Sequence, residues 1–233
     1  MTALQLPPPA CDTFPKLLEH HRQVRPARPA IREKDFGIWQ TYSWSRVAAE
    51  VRDLAAGLLS LGVQRGDKVA IVGDNRPRLY WTMTAVQAIG AIPVPLYQDA
   101  VAEEMAYVLE HAEARFAVVE DQEQVDKLLE IRHRLPKLQT VVYEDPRGMR
   151  NYAQPFLHAF SAVQDLGRKL ASDHPALFER EIDRGAGSDV AIMLYTSGTT
   201  GKPKGVCHTH AGLITAARGG CEFDRLGPGD EVL

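Results

Sequence analysis

The sequence predicts an α/β fold built on an open, mostly parallel sheet with crossover helices. Four short apolar runs, Val69 to Val72, Ile92 to Val94, Phe116 to Val119 and Thr140 to Tyr143, begin 23 or 24 residues apart. Helix-patterned stretches fill the intervals: Arg78 to Ile89, Val101 to His111 and Glu123 to Arg134. The wording does not repeat from unit to unit, so the spacing reflects strand–helix–strand crossovers and not a solenoid.

The remaining elements follow in chain order. Residues 1–28 read as a polar leader. Pro29 to Arg32 and Ile38 to Tyr42, either side of Lys34-Asp35-Phe36-Gly37, read as a hairpin. From about Ser45, Val47, Val51, Leu54, Leu58 and Leu61 recur at three and four, with Gly62 placed to end a helix, so 29–62 is hairpin plus helix. The crossover units occupy 63–145. Residues 146–188 read as a helical insert, with helices at about Phe156 to Ala171 and Pro175 to Ile182 before the loop Gly185-Ala186-Gly187-Ser188. Asp189 to Tyr195 reads as a buried strand, because Ala191 to Leu194 are contiguous and apolar. Val206 to Thr209 reads as a second strand, which makes 189–210 a long hairpin ahead of a helix at 211–223.

Composition narrows the function classes. The 233 residues are 45% hydrophobic and 24% charged, enough for a globular core. A net charge of -3 carries no basic excess, so no nucleic-acid partner is expected and any anion site must be local. Cys11, Cys207 and Cys221 lack CxxC spacing and read as reduced packing thiols, which favours a cytoplasmic location. The first ten residues have no signal-peptide pattern, and Pro7, Pro8 and Pro9 would break a helix there. Apolar residues nowhere run to eighteen, so no transmembrane segment is expected; peripheral membrane contact and oligomeric state stay open.

The chemistry concentrates in Tyr195-Thr196-Ser197-Gly198-Thr199-Thr200-Gly201-Lys202-Pro203-Lys204-Gly205. Glycines let successive N–H groups point into one concavity, hydroxyls add short neutral donors, and lysines supply charge for phosphate oxygens. A surface hairpin rich in glycine and hydroxyls is the bland alternative. A Walker A loop fits poorly: two residues, not four, separate Gly198 from Gly201, and Pro203 after Lys202 opposes an immediate helix start. A hairpin tip of this kind is expected to be mobile without ligand.

This run resembles the signature phosphate loop of the adenylate-forming superfamily, which includes acyl-CoA synthetases, nonribosomal peptide adenylation domains and luciferases. Gly66-Asp67-Lys68-Val69-Ala70-Ile71, Asn75-Arg76-Pro77, Gly90 to Tyr97 and Leu226-Gly227-Pro228-Gly229-Asp230 resemble it too, so the likeness runs from about Phe14 onward. Gly167-Arg168, His174-Pro175 and Phe178-Glu179-Arg180-Glu181 are similar to the long-chain fatty acyl-CoA synthetase branch. Arg78 departs from the acidic residue usual at that place.

The resemblance implies an N-terminal fragment: an incomplete large domain over 29–233, the C-terminal domain absent, and the motifs for Mg²⁺, ribose and the substrate carboxylate beyond Leu233. It implies ATP, Mg²⁺ and CoA as co-substrates and cofactor, a fatty acid as substrate, and an acyl-adenylate intermediate. Thr196, Ser197, Gly198, Thr199, Thr200, Gly201 and Lys202 are expected to contact phosphate, with Thr196 and Lys202 assisting the reaction. Lys204 is expected either to reach phosphate or to remain solvated. His210 either helps position groups near the acyl pocket or is simply a satisfied, partly buried histidine. His208 and His210 would share a strand face but lack a third ligand, so no metal site is assigned. The other histidines are expected at the surface or in packing. A different acyl, amino acid or carrier-protein substrate, and a non-catalytic nucleotide-binding module, remain alternatives. The fragment alone is expected to be inactive and, with open strand edges, poorly soluble.

Overall fold

The computed structural model describes Pro8 and residues 10–196, 203–227 and 229–232. Helix α1 (Phe14–Val24) lies in the segment expected to be a polar leader. Thr13 caps it by accepting from the Lys16 N–H, and only Pro15 and Leu18 are buried. So narrow an apolar stripe among His, Arg and Lys side chains is why periodicity did not reveal it.

Strands β1 (Pro29–Asp35) and β2 (Ile38–Ser43) form the antiparallel hairpin. Its turn, Phe36-Gly37, has positive φ at both residues, 45° and 81°, the condition for a tight two-residue connection matching strand twist. Ser43 then caps α2 (Trp44–Ser60) by accepting from the Arg46 N–H, and Gly62 beyond its end takes φ +89°, where a side chain would be strained.

The centre is a five-stranded, all-parallel sheet of β3 (Lys68–Val72), β4 (Ile92–Leu96), β5 (Phe116–Val119), β6 (Thr140–Tyr143) and β7 (Leu157–Ala159), in the order β4-β3-β5-β6-β7. Helices α3 (Pro77–Ala88), α4 (Ala102–Ala112) and α5 (Gln122–Ile131) make the crossovers. Strand pleating divides the core. Val69 and Ile71 pack with Val51, Leu54, Leu58 and Trp81 on one face, while Ala70 and Val72 pack with Met105, Leu109 and Leu128 on the other.

The insert differs from expectation at its start. Residues 157–159 form β7, the fifth parallel strand, and α6 (Phe160–Asp173) begins only after it. Three residues are too few to display a period of two, and their pairing with β6 at Val141, Val142 and Tyr143 is long-range. Helices α6 and α7 (Leu177–Asp183) pack against α2. Where α6 meets α2 both helices carry glycine: a Cβ at Gly167 would lie 1.8 Å from the Asp53 carbonyl oxygen, and one at Gly57 would lie 2.1 Å from that of Val163. Arg168 spans the same contact to Asp53 at 2.9 Å. The Gly167-Arg168 pair is thus accounted for by packing.

Strands β8 (Val190–Thr196) and β9 (Lys204–Thr209) form a separate antiparallel pair leading into α8 (His210–Phe223). β8 is not the buried strand expected: only Ala191 is fully buried, because the hairpin packs by one face on β4 and α4. The packing role expected of the cysteines also fails at Cys207, which is exposed on β9. Among the described residues no helix is long and apolar enough to cross a membrane.

Candidate functional site

Chain order along the sheet sets where a site can form. From β3 the chain moves to β4 on one side, then crosses to β5, β6 and β7 on the other, so connections diverge at the carboxyl ends of β3 and its neighbours. Open α/β sheets bind ligands at such a reversal. Here it opens a cleft of about 490 Å³ lined by Gly73 to Asn75, Leu79, Pro95 to Asp99, Leu194 and Tyr195.

Each wall is held by polar contacts. Glu120, just past β5, accepts the Asp74 N–H at 2.6 Å and pairs with Arg76 at 3.1 Å, pinning the turn after β3. Asn75 accepts from the Tyr80 hydroxyl. The Gln98 carbonyl accepts from both Gln124 and Lys127 at 2.9 Å, fixing the segment after β4. The third wall is the β8–β9 hairpin. Gln87 of α3 donates to the Ala191 carbonyl at 2.8 Å, and Arg65 reaches Asp189 at 3.4 Å. Near this rim Arg78 donates to the Glu144 carbonyl at 2.8 Å, with its guanidinium over the Phe160 ring. Burial pushes the Glu144 carboxyl up to about 8, against Arg78 and Arg76 and with Glu120.

Of the residues expected at the site, Thr196 ends β8, exposed, directly across from Lys204, the exposed first residue of β9. Ser197, Gly198, Thr199, Thr200, Gly201 and Lys202 lie outside the described residues. The strand pair puts the two roots of that segment, Thr196 and Lys204, beside one another next to the cleft. Among the described residues no three His, Cys, Asp or Glu side chains converge as a metal-holding group.

His210 is not on a strand face with His208. It opens α8, whose cap Thr209 accepts from the Gly212 N–H, and it is buried. A histidine after a β-rich stretch reads as strand until the cap geometry is seen. Its Nδ1 accepts from the Phe14 N–H at 3.3 Å, with the Phe14 ring at 5.5 Å. Burial, with a smaller push from Lys16 and against Asp189 and Asp12, brings its pKa down to about 4. His21 is also pushed down to about 4, by burial and by Arg25 and His20. Both are therefore neutral near pH 7. An unfolded histidine takes its proton near pH 6.5 while these resist until about 4, so the stability they contribute is present above 6.5 and lost as pH falls through 4. A His210→Asn variant, which keeps an acceptor for Phe14 but does not titrate, is expected to remove about half of this acid sensitivity. Denaturant unfolding across pH 4 to 7 measures it; an unchanged slope refutes it.

Sequence reasoning missed the contacts between α4 and the hairpin. Tyr107 donates to the Pro203 carbonyl at 2.9 Å, and His111, expected at the surface or in packing, meets the Tyr195 hydroxyl at 2.7 Å. These pairs are separated by 96 and 84 residues, and no local pattern signals them.

A family model described as AMP-binding enzyme matches residues 18–233. The chain belongs to the AMP-binding enzyme family. Within this family it is 31% identical over 183 residues to the long-chain-fatty-acid–CoA ligase FadD15 of Mycobacterium tuberculosis, an alignment covering 78% of this chain and 29% of that protein. It is 32% identical over 193 residues to the human long-chain-fatty-acid–CoA ligase ACSBG2, covering 81% and 28%. Acetoacetyl-CoA synthetase from Streptomyces lividans superposes with a TM-score of 0.79 at 23% identity, over 94% of this chain and 33% of that one, which supports the fold. The chain therefore spans less than a third of the length of these curated relatives.

Proposed function

We propose that this chain carries the ATP-phosphate segment of an AMP-forming ligase that activates a long-chain fatty acid. In that reaction a carboxylate oxygen attacks the α-phosphorus of ATP, the α–β P–O bond breaks, and pyrophosphate leaves. The CoA sulfur then attacks the acyl carbonyl and AMP departs. Charge grows on the leaving pyrophosphate, so donors that follow its oxygens favour the transition state over the ground state. Thr196, Ser197, Gly198, Thr199, Thr200 and Gly201 are assigned to those oxygens through hydroxyls and backbone N–H groups, with Lys202 as the charged donor. Lys204, exposed across from Thr196, is available to them. The described residues hold no group of three His, Cys, Asp or Glu side chains, and no residue of this chain is assigned to Mg²⁺. We assign no reacting role to His210, which is buried against Phe14. The three free cysteines favour a cytoplasmic setting.

One observation carries the reading: a glycine, hydroxyl and lysine run joins two paired antiparallel strands beside a cleft at the carboxyl ends of a parallel sheet. Long-chain fatty acid as the substrate rests on the relatives. Calorimetric titration of the chain with MgATP tests the nucleotide site, and no heat of binding at millimolar nucleotide sinks it. Since the chain spans 29% of FadD15, it is expected to release no pyrophosphate from ATP and palmitate by itself. Release above background, followed by a coupled enzyme assay, would overturn that expectation.

A further inference from the structure

Helix α4 belongs to the parallel-sheet unit, yet its exposed end grips the hairpin through contacts that span 84 and 96 residues. Tyr107 donates to the carbonyl of Pro203, just ahead of β9, and His111 Nδ1 meets the hydroxyl of Tyr195, next to the last residue of β8. The Tyr107 and His111 rings stack at 5.8 Å, and His111 meets Tyr195 edge-on at 5.6 Å. Beneath them Val94, Val108 and Ala112 form an apolar cluster with Met193 and Tyr195.

Strand pairing explains how Tyr195 reaches α4. Its cross-strand partner is Gly205, where a Cβ would lie 3.3 Å from the Tyr195 ring and 2.3 Å from the Met193 methyl. The bare glycine lets the ring lie across β9. Burial, aided by Tyr107 and Cys207, pushes the Tyr195 hydroxyl up to about 12, so it stays protonated and shares one hydrogen bond with Nδ1 of His111.

We infer that Tyr107 and His111 are positioning residues, which hold the two roots of the glycine-rich segment at a set separation and orientation through Pro203 and Tyr195. The inference rests on that segment being the nucleotide site. Roots already held in place need less ordering when ligand arrives, so loosening them costs affinity without removing any donor. Neither side chain is required to touch nucleotide.

The test uses the 233-residue chain with Tyr107→Phe, His111→Ala and His111→Asn, the last keeping a hydrogen-bonding amide where Nδ1 stands. Amide hydrogen exchange is read without ligand at residues 194–196 and 204–206, with 69–72 of the central sheet as internal control, and MgATP affinity is read by calorimetry. Tyr107→Phe and His111→Ala are expected to speed exchange at the hairpin roots alone and to weaken MgATP about three- to ten-fold, the effect of one lost hydrogen bond. His111→Asn is expected to restore both to within about two-fold. Unchanged exchange at the roots overturns the inference, as does faster exchange with unchanged MgATP affinity, or equal loss in His111→Asn and His111→Ala. A wild-type chain that binds no MgATP instead removes the nucleotide reading beneath it, an outcome seen before any variant is made.

Discussion

Replacing Gly167 by alanine is expected to lower the thermal midpoint of the chain by about 10 °C, corresponding to roughly 3 kcal/mol for a domain of this size. The added methyl would lie 1.8 Å from the Asp53 carbonyl oxygen and 2.7 Å from the Gly57 amide nitrogen. Both obstacles are backbone in the middle of α2, whose Val51, Leu54 and Leu58 are completely buried against the central sheet. A side-chain tip could rotate aside, but backbone cannot. Relief requires α6 to move off α2, which breaks the Arg168–Asp53 pair and opens voids around Val163 and Phe160. Overpacking costs are about 1 to 3 kcal/mol where neighbours yield, and here they do not. Gly219→Ala on α8 is the control: open space surrounds that position, and helix propensity makes alanine neutral or stabilising by up to about 1 kcal/mol. Circular-dichroism melts of the two variants compare them directly. A Gly167→Ala midpoint within a degree of wild type would show that the two helices are not in backbone contact.

Lys202→Ala is expected to weaken MgATP binding by about 10- to 100-fold. Under the proposed assignment Lys202 is the charged donor to the polyphosphate, and a charge-assisted hydrogen bond contributes roughly 1.5 to 3 kcal/mol. At 1.4 kcal/mol per ten-fold, that range sets the size of the loss. Lys204→Ala is the comparison, because Lys204 is exposed at the start of β9 and its long side chain can remain in solvent. A loss below about three-fold is expected for it. Calorimetry with MgATP and with pyrophosphate separates the contributions, since a phosphate donor should matter for both ligands. Equal affinities in wild type and Lys202→Ala would remove the lysine from the site.

The parallel strands were legible because burial on both faces writes itself as short continuous apolar runs. β5 and β6 occupy the very residues expected, and β3 and β4 differ by a residue or two at their ends. Helices α3, α4 and α5 were legible because burial of one helical face writes a period of three and four. β7 was hidden, since three half-buried residues in front of a strongly amphipathic helix carry no signal of their own and become a strand only when β6 offers an edge. Helix α1 was hidden by its polarity. His210 was misread as a strand residue because one capping bond from Thr209 decides the change of element, and a short period of two cannot reveal it.

The sequence alone determined what is local: the alternation of strand and helix, the turn glycines, and the concentration of glycine, hydroxyl and lysine between residues 196 and 205. Each follows from the conformational and chemical properties of neighbouring residues. Only the tertiary structure decided which strands adjoin, and hence that the sheet order reverses around β3 and opens a cleft there. It alone brought Tyr107 and His111 to Pro203 and Tyr195, and Gly167 to Asp53. Such contacts join residues tens of positions apart, and their geometry is set by how whole helices and sheets pack, a property that no short window of sequence contains.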